Sequence, residues 1–193
     1  MIIDSISFRR FIYGILRFAP SIFMEKLRVS FYRKLGLKLG DNVKLAVGSM
    51  IDVWQSNVPV CLGNNIYIGE SSIISGGVTI GNNVSINSNV CLVASKPSQI
   101  TIGDDCLIAQ NVIVRADDHG YDDPSKLIRE QGKNSADITI EQDCWLGANV
   151  VILKGVHLGA HCVVGAGTIV TKSFPPYSVI VGNPGKLLKS RKT

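Results

Sequence analysis

A chain of 193 residues with 46% hydrophobic side chains is long enough to enclose one core, and its 7% aromatics and 19 glycines make that core aliphatic and broken by many tight turns. The formal charge of +5 and the pI near 9.0 point to an anionic partner; with no zinc-finger, helix-turn-helix or aromatic RNA-binding pattern beside it, that partner is read as a phosphorylated cofactor or an anionic membrane surface and not as nucleic acid. Five cysteines, an odd number with no C-x-x-C pair, argue against a disulfide framework or a zinc knuckle and fit a reducing compartment.

The chain opens Met1-Ile2-Ile3-Asp4, with its first basic residues, Arg9 and Arg10, after the apolar start. That order is wrong for a secretory signal, and Arg9, Arg10 and Arg17 interrupt any spanning run, so the expectation is a soluble cytoplasmic protein. Phe8, Phe11, Ile12, Ile15 and Leu16 have helical spacing, Pro20 divides a first helix from a second, and the second carries Leu27, Phe31 and Leu35 on one face with Lys26, Arg33 and Lys34 beyond. Residues 1–37 are read as a helical cap for the repeat that follows. The same basic segment is suited to peripheral contact with an anionic membrane.

From there a six-residue period takes over. Aliphatic residues recur at Leu62, Ile68, Ile74, Ile80, Ile86 and Leu92, slip at Ser95-Lys96-Pro97-Ser98, resume at Ile102, Ile108 and Val114, and return at Ile140, Leu146, Ile152, Leu158, Val164 and Val170. The next residue is usually small or polar, as at Gly63, Gly69, Gly81, Gly103, Gly147 and Gly165, which is expected to permit a sharp corner. A period of six fits neither a helix nor a hairpin; it fits a parallel β-solenoid with three short strands per coil and roughly seven coils. Cys106, Cys144 and Cys162 fall on inward small positions and read as core fillers.

The row stops after Val114 and resumes at Ile138 or Ile140, leaving an excursion at 115–137 that a regular solenoid has no need of. It contains His119 within Asp117-Asp118-His119-Gly120-Tyr121-Asp122. A histidine can take a proton near neutral pH, and a carboxylate on its second ring nitrogen would fix the tautomer; Asp117, Asp118 and Asp122 are the candidates. His157 and His161 lie on outward repeat positions. With His119 they make three, as a γ-type carbonic anhydrase requires, but they sit on strand and corner and are read as solvated surface residues, with no metal site expected.

The run from Cys144 through Trp145-Leu146-Gly147-Ala148-Asn149 to Asn183-Pro184-Gly185-Lys186 and Lys189 is similar, nearly residue for residue, to the last coils of the hexapeptide-repeat acyltransferase family, and the resemblance extends over about residues 36 to 189. The resemblance implies an all-β solenoid, specifically a left-handed parallel β-helix, assembled as a homotrimer with active sites between subunits. It implies His119 as catalytic base, and the Asp118-His119 pair looks like the branch that acetylates sugars of surface polysaccharides. It implies coenzyme A along the groove between coils of two subunits, the Ala148 backbone N–H facing the thioester oxygen, and Trp145 walling the pantetheine channel. Ala166, Thr171 and Lys172 match positions that touch pantetheine and phosphates, and Lys186 and Lys189 match basic residues at the adenine end; Gly185 departs from the usual alanine or cysteine. Independently, Lys172, Lys186, Lys189, Arg191 and Lys192 gather near the end of the chain, where an anionic cofactor needs cations.

The expectation is therefore an O-acetyltransferase that moves an acetyl group from acetyl-CoA to a sugar hydroxyl in surface polysaccharide biosynthesis (O-antigen, capsule or exopolysaccharide). A serine or antibiotic acetyltransferase, a γ-type carbonic anhydrase and a non-catalytic β-helix scaffold are the other readings. The expected organisation is a cap at 1–37, a β-helix at 38–185 with its loop at 115–137, and a basic tail at 186–193.

Overall fold

The computed structural model describes Ile12 and residues 14–20, 22–52 and 60–192. Strands of two to four residues stack into three parallel faces. Face A holds β1 (Lys38–Leu39), β4 (Cys61–Leu62), β7 (Gly77–Ile80), β10 (Gln99–Ile102), β15 (Ile138–Ile140) and β18 (His157–Leu158). Face B runs through β2 (Lys44–Leu45), β5 (Tyr67–Ile68), β8 (Ser85–Ile86), β11 (Leu107–Ile108), β16 (Trp145–Leu146), β19 (Val163–Val164) and β21 (Ser178–Val181). Face C holds β3 (Met50–Asp52), β6 (Ile73–Ser75), β9 (Cys91–Val93), β12 (Ile113–Arg115), β17 (Val151–Leu153) and β20 (Ile169–Val170).

Every aliphatic residue of the six-residue row from Leu62 to Val170 is buried, and so are the small corner positions Ser72, Val84, Cys106, Val150, Cys162 and Thr168. The three inward cysteines are unpaired and stack along one corner, Cys144 Sγ donating to Gly159 O at 3.4 Å and Cys162 Sγ to Pro175 O at 3.3 Å. Between coils the backbone amides donate upward in register, as in Trp145 N to Cys162 O at 2.9 Å and Ile113 N to Val150 O at 2.9 Å.

The corners work differently from the sequence expectation. The residue after each aliphatic does not adopt the left-handed conformation. It is small because the backbone of the next coil passes close by: a Cβ on Gly147 would lie 2.7 Å from Ala166 N. The left-handed residue comes two positions later and is usually asparagine or aspartate, as at Asn65 (φ 56°), Asn83 (φ 56°), Asp105 (φ 60°) and Asn149 (φ 60°), side chains that tolerate that region. Stacked on one corner, these side chains form a ladder: Asn65 Nδ2 donates to Asn83 Oδ1 at 2.9 Å and Asn83 Nδ2 to Asp105 Oδ1 at 3.0 Å.

Each of faces A and C has six strands, so there are six complete coils where the period suggested roughly seven. The seventh begins with the Leu158–Phe174 bridge and β21, then turns back at Gly182 (φ 99°). Residues Lys186–Ser190 form β22, antiparallel to β21, so the segment expected to be a tail is largely a strand. Beyond it Arg191 donates to His161 O at 2.8 Å and the Lys192 ammonium lies 4.0 Å over the Tyr177 ring.

At the other end, residues 14–18 are helical and α1 (Ile22–Lys34) packs on coil 1. The buried side of α1 is Arg28, Val29 and Tyr32; Leu27 is exposed, and Phe31 and Leu35 are half-buried. The expected Leu27–Phe31–Leu35 face is thus displaced by one residue. The reason is polar: among the described residues no further coil lies below the first, and a bare strand edge leaves backbone groups unpaired. Arg28 Nε donates to Leu45 O at 2.9 Å and Ile51 N donates to Tyr32 Oη at 2.9 Å, so α1 closes the open end. The apolar positions Phe8 and Phe11 lie outside the described residues. Among the described residues no helix is long and apolar enough to cross a membrane.

Candidate active site

The excursion leaves face C after Arg115 and returns at Ile138. Its base is a hairpin of β13 (Asp117–His119) and β14 (Lys133–Ser135), paired Asp117–Ser135, Asp118–Asn134 and His119–Lys133. The outer part supports itself. Gln131 Oε1 accepts from Asp123 N at 2.9 Å, Gln131 Nε2 donates to Asp123 O at 2.9 Å, and the Asp123 carboxylate holds Ser125 and Lys126. Tyr121, Leu127 and Ile128 are exposed on it.

Beneath the hairpin, a cleft of about 360 Å³ is lined by Ile113, Val151 and Leu153 of face C and by Arg115, Asp117, Asp118, His119 and Lys133. His119 is exposed at this cleft. Its imidazole makes no side-chain hydrogen bond among the described residues. The carboxylates beside it are engaged elsewhere. Asp118 is ion-paired with Lys154, which reaches across from the end of β17. The hydrogen bond that Lys154 donates to Asp118 holds the ammonium's pKa above its ordinary value, while partial desolvation opposes this. Asp117, with its side chain only 1% exposed, accepts from Arg115 Nε at 2.9 Å and Lys133 Nζ at 2.8 Å. Burial alone would push the Asp117 carboxyl up. The hydrogen bonds from Lys133 and Ser95 and the charge of Arg115 outweigh it and hold the group below the usual carboxylate range.

Alternation along β13 explains the division of labour: Asp117 and His119 share one side of the strand and Asp118 takes the other. The structure therefore brings His119 and Asp118 to one cleft without a hydrogen bond between them. Lys154, Lys133, Arg115 and Ser95 were missed by sequence reasoning. The only signal for any of them was the slip of the period at Ser95–Ser98, where the corner makes room for the hairpin.

Ala148 lies at the corner between faces B and C, ahead of Val151. Gly147 N and Asn149 N donate to Val164 O (2.8 Å) and Gln110 O (3.0 Å), while the Ala148 amide between them donates to no acceptor among the described residues. The same is true of Gln110 and Ala166 on the neighbouring coils, so a free amide belongs to this corner as a whole. Ala166, one coil on, is exposed. Thr171 and Lys172 follow β20 on face C, one strand beyond Leu153, with Lys172 Nζ 5.8 Å over the Phe174 ring. Trp145 is 52% exposed on face B, in the register row Leu107–Trp145–Val163–Val179–Lys189, with Lys186 paired to Val181 on the same sheet. At a strand spacing of about 4.8 Å, Trp145 and Lys189 are about 14 Å apart along the axis. Within one chain, then, the Trp145–Lys186–Lys189 group and the His119 cleft lie on adjacent faces, separated by a corner. His157 and His161 are each paired with a carboxylate: His157 Nε2 is 2.8 Å from Glu141 Oε1, and His161 Nδ1 is 2.8 Å from Asp143 Oδ2 with its ring stacked on Tyr177.

Comparison with known proteins gives a consistent set of likenesses. Residues 137–172 match the family described as hexapeptide repeat of succinyl-transferase. The galactoside O-acetyltransferase of Escherichia coli is 36% identical over 131 residues, which are 66% of this chain and 62% of that protein. Among solved structures, a galactoside acetyltransferase in complex with coenzyme A superposes with a TM-score of 0.67 at 26% identity, covering 94% of this chain and 78% of the other. A polysialic acid-specific acetyltransferase superposes with a TM-score of 0.56 at 31% identity, covering 80% and 81%. The chain spans 44% to 62% of the length of the first curated relatives it matches.

Proposed function

Because the chain belongs to the hexapeptide-repeat acetyltransferase family, we propose that it transfers an acetyl group from acetyl-CoA to a sugar hydroxyl, with His119 as general base. The observation that carries this reading is the exposed imidazole at a cleft of about 360 Å³, with no competing side-chain hydrogen bond among the described residues. His119 removes the acceptor hydroxyl proton as that oxygen attacks the thioester carbonyl. The oxyanion of the tetrahedral intermediate accepts from the unbonded amide of Ala148. Collapse expels the coenzyme A thiolate, which recovers the proton from the imidazolium, and the ester leaves. Asp118, anchored by Lys154, supplies negative charge on the far side of the histidine's strand. No covalent acyl-enzyme is required; Cys106, Cys144 and Cys162 are buried in the core, and Cys61 and Cys91 are half-buried on faces A and C.

Trp145, Ala166, Thr171, Lys172, Lys186 and Lys189 form the donor site in this reading. Their division between two faces supports a homotrimer, in which face B of one subunit meets face C of the next. The outward rows support it too. Face A presents Lys38, Cys61, Thr79, Thr101, Thr139 and His157, whereas face C presents Met50, Ile73, Cys91, Ile113, Val151 and Ile169, an apolar strip in which Ile113 is exposed and the others are half-buried. The likeness to a polysialic acid-specific enzyme supports a surface polysaccharide as destination of the acetylated sugar. Five unpaired cysteines support a cytoplasmic setting, and the basic N-terminal segment supports peripheral contact with an anionic membrane where such sugars are assembled.

Thermal unfolding with acetyl-CoA is the test. Saturating donor at a hundredfold excess over its Kd should add about 2.7 kcal/mol of stability, with no shift from ATP at the same concentration; thiol release on adding sugar acceptors should follow. An unfolding temperature indifferent to acetyl-CoA would end the acyltransferase reading.

A further inference from the structure

Lys133 stands directly across the hairpin from His119. Cross-strand partners in an antiparallel pair hold their Cβ atoms about 4.5–5.5 Å apart on the same side of the ribbon. An unneutralised ammonium there would oppose the imidazolium that a general base has to become, since a nearby like charge disfavours the charged form. In the structure that ammonium is bonded to Asp117 Oδ2 at 2.8 Å, and the other carboxylate oxygen of Asp117 takes Arg115 Nε at 2.9 Å. Lys133 Nζ also lies 3.3 Å from Ser95 Oγ, which ties the hairpin to the corner of the coil below. A carboxylate that is 1% exposed and satisfied by two cations is held by the fold and does not reach His119 itself.

We propose that Asp117 is a positioning residue for the candidate base: by neutralising Lys133 and pinning β13 to β12, it keeps the imidazole of His119 both in place and able to accept a proton. The proposal rests on reading His119 as the base, but its electrostatic core is independent of turnover. The charged and titratable groups around His119 are Asp117 and Asp118 on its own strand, Lys133 on β14, Arg115 on β12, Lys154 after β17, and Tyr121 and Asp122 beyond Gly120. Three cations thus meet three carboxylates. Removing Asp117 leaves Lys133, the cation directly opposite the imidazole, without its counter-ion.

The experiment is an NMR titration of the imidazoles in histidine-labelled full-length protein. The chain has 3 histidines, and His157 and His161, each bound to its own carboxylate, serve as internal references. Asp117→Asn should lower the His119 midpoint. Lys133→Met should raise it, and the double variant should return it close to the wild-type value. In acetyl transfer, Asp117→Asn should cut kcat about tenfold, leave KM for acetyl-CoA unchanged, and move the acidic limb of the pH profile with the NMR midpoint. A merely structural role would shift both single variants in the same direction, and that result, or an unmoved midpoint, overturns the proposal. Should Asp117→Asn not fold, Lys133→Met decides alone: a rise supports, no change or a fall refutes. Wild-type protein that transfers no acetyl group while the midpoints move as described would sink the acetyltransferase reading and leave this coupling standing.

Discussion

In the coils, inward positions from Leu62 to Val170 are aliphatic and buried, and successive coils are joined by backbone hydrogen bonds in unbroken register. In the excursion at 116–137, by contrast, only Ala116, Asp117 and Gly120 are buried, and side chains of opposite charge join a short hairpin to the coils. The coils give rigidity and, in the proposed function, the donor site; the excursion places the proposed base, His119, on a scaffold that it could not build alone. The difference teaches where to look for each effect of substitution: loss of stability in the lattice and, on the proposed function, loss of the base in the hairpin that interrupts it.

Substitutions can break that division or sharpen it. His119→Ala should lower the rate of acetyl transfer by about 10²–10⁴-fold while the unfolding midpoint and acetyl-CoA-induced stabilisation stay as in the wild type. A matching loss of stability would mean that the hairpin is part of the lattice after all. Leu146→Ala, in the fully buried column Ile108–Leu146–Val164–Ile180, should cost about 2–5 kcal/mol in urea unfolding. Its outward neighbour Trp145→Ala should change stability by no more than about 0.5 kcal/mol and weaken acetyl-CoA binding instead.

Acid should separate the two regions as well. The Asp117 carboxyl titrates below its ordinary range when folded, so its ionised form contributes stability that is fully present above the unfolded value of about 3.9 and is lost as the pH falls through the lower folded value. Urea midpoints followed downward from about pH 6 should therefore decline steeply at the acid end in the wild type and less steeply in Asp117→Asn. The smallest effect is expected from Lys154→Met. Its ion pair with Asp118 is about a third exposed, so its loss should cost at most about 1 kcal/mol, seen as a small drop in the urea midpoint.

What the sequence by itself determined is the solenoid. Coils contact only their neighbours at a nearly constant offset, 18 residues where nothing intervenes, as between Asn65 and Asn83, so each packing contact repeats as a visible period. The same regularity made the break after Val114 conspicuous and with it His119. What only the tertiary structure decided lies where that offset fails. Asp118 meets Lys154 across 36 residues and Lys133 meets Ser95 across 38, distances that no repeat announces because they depend on the path of the excursion. Likewise α1 turns Arg28 and Tyr32 inward, against its simplest apolar face, because the unpaired backbone of the first coil requires polar partners. Apolar burial is written in a local pattern, whereas the pairing of charges and the capping of an edge are satisfied by whichever groups the folded chain brings within reach.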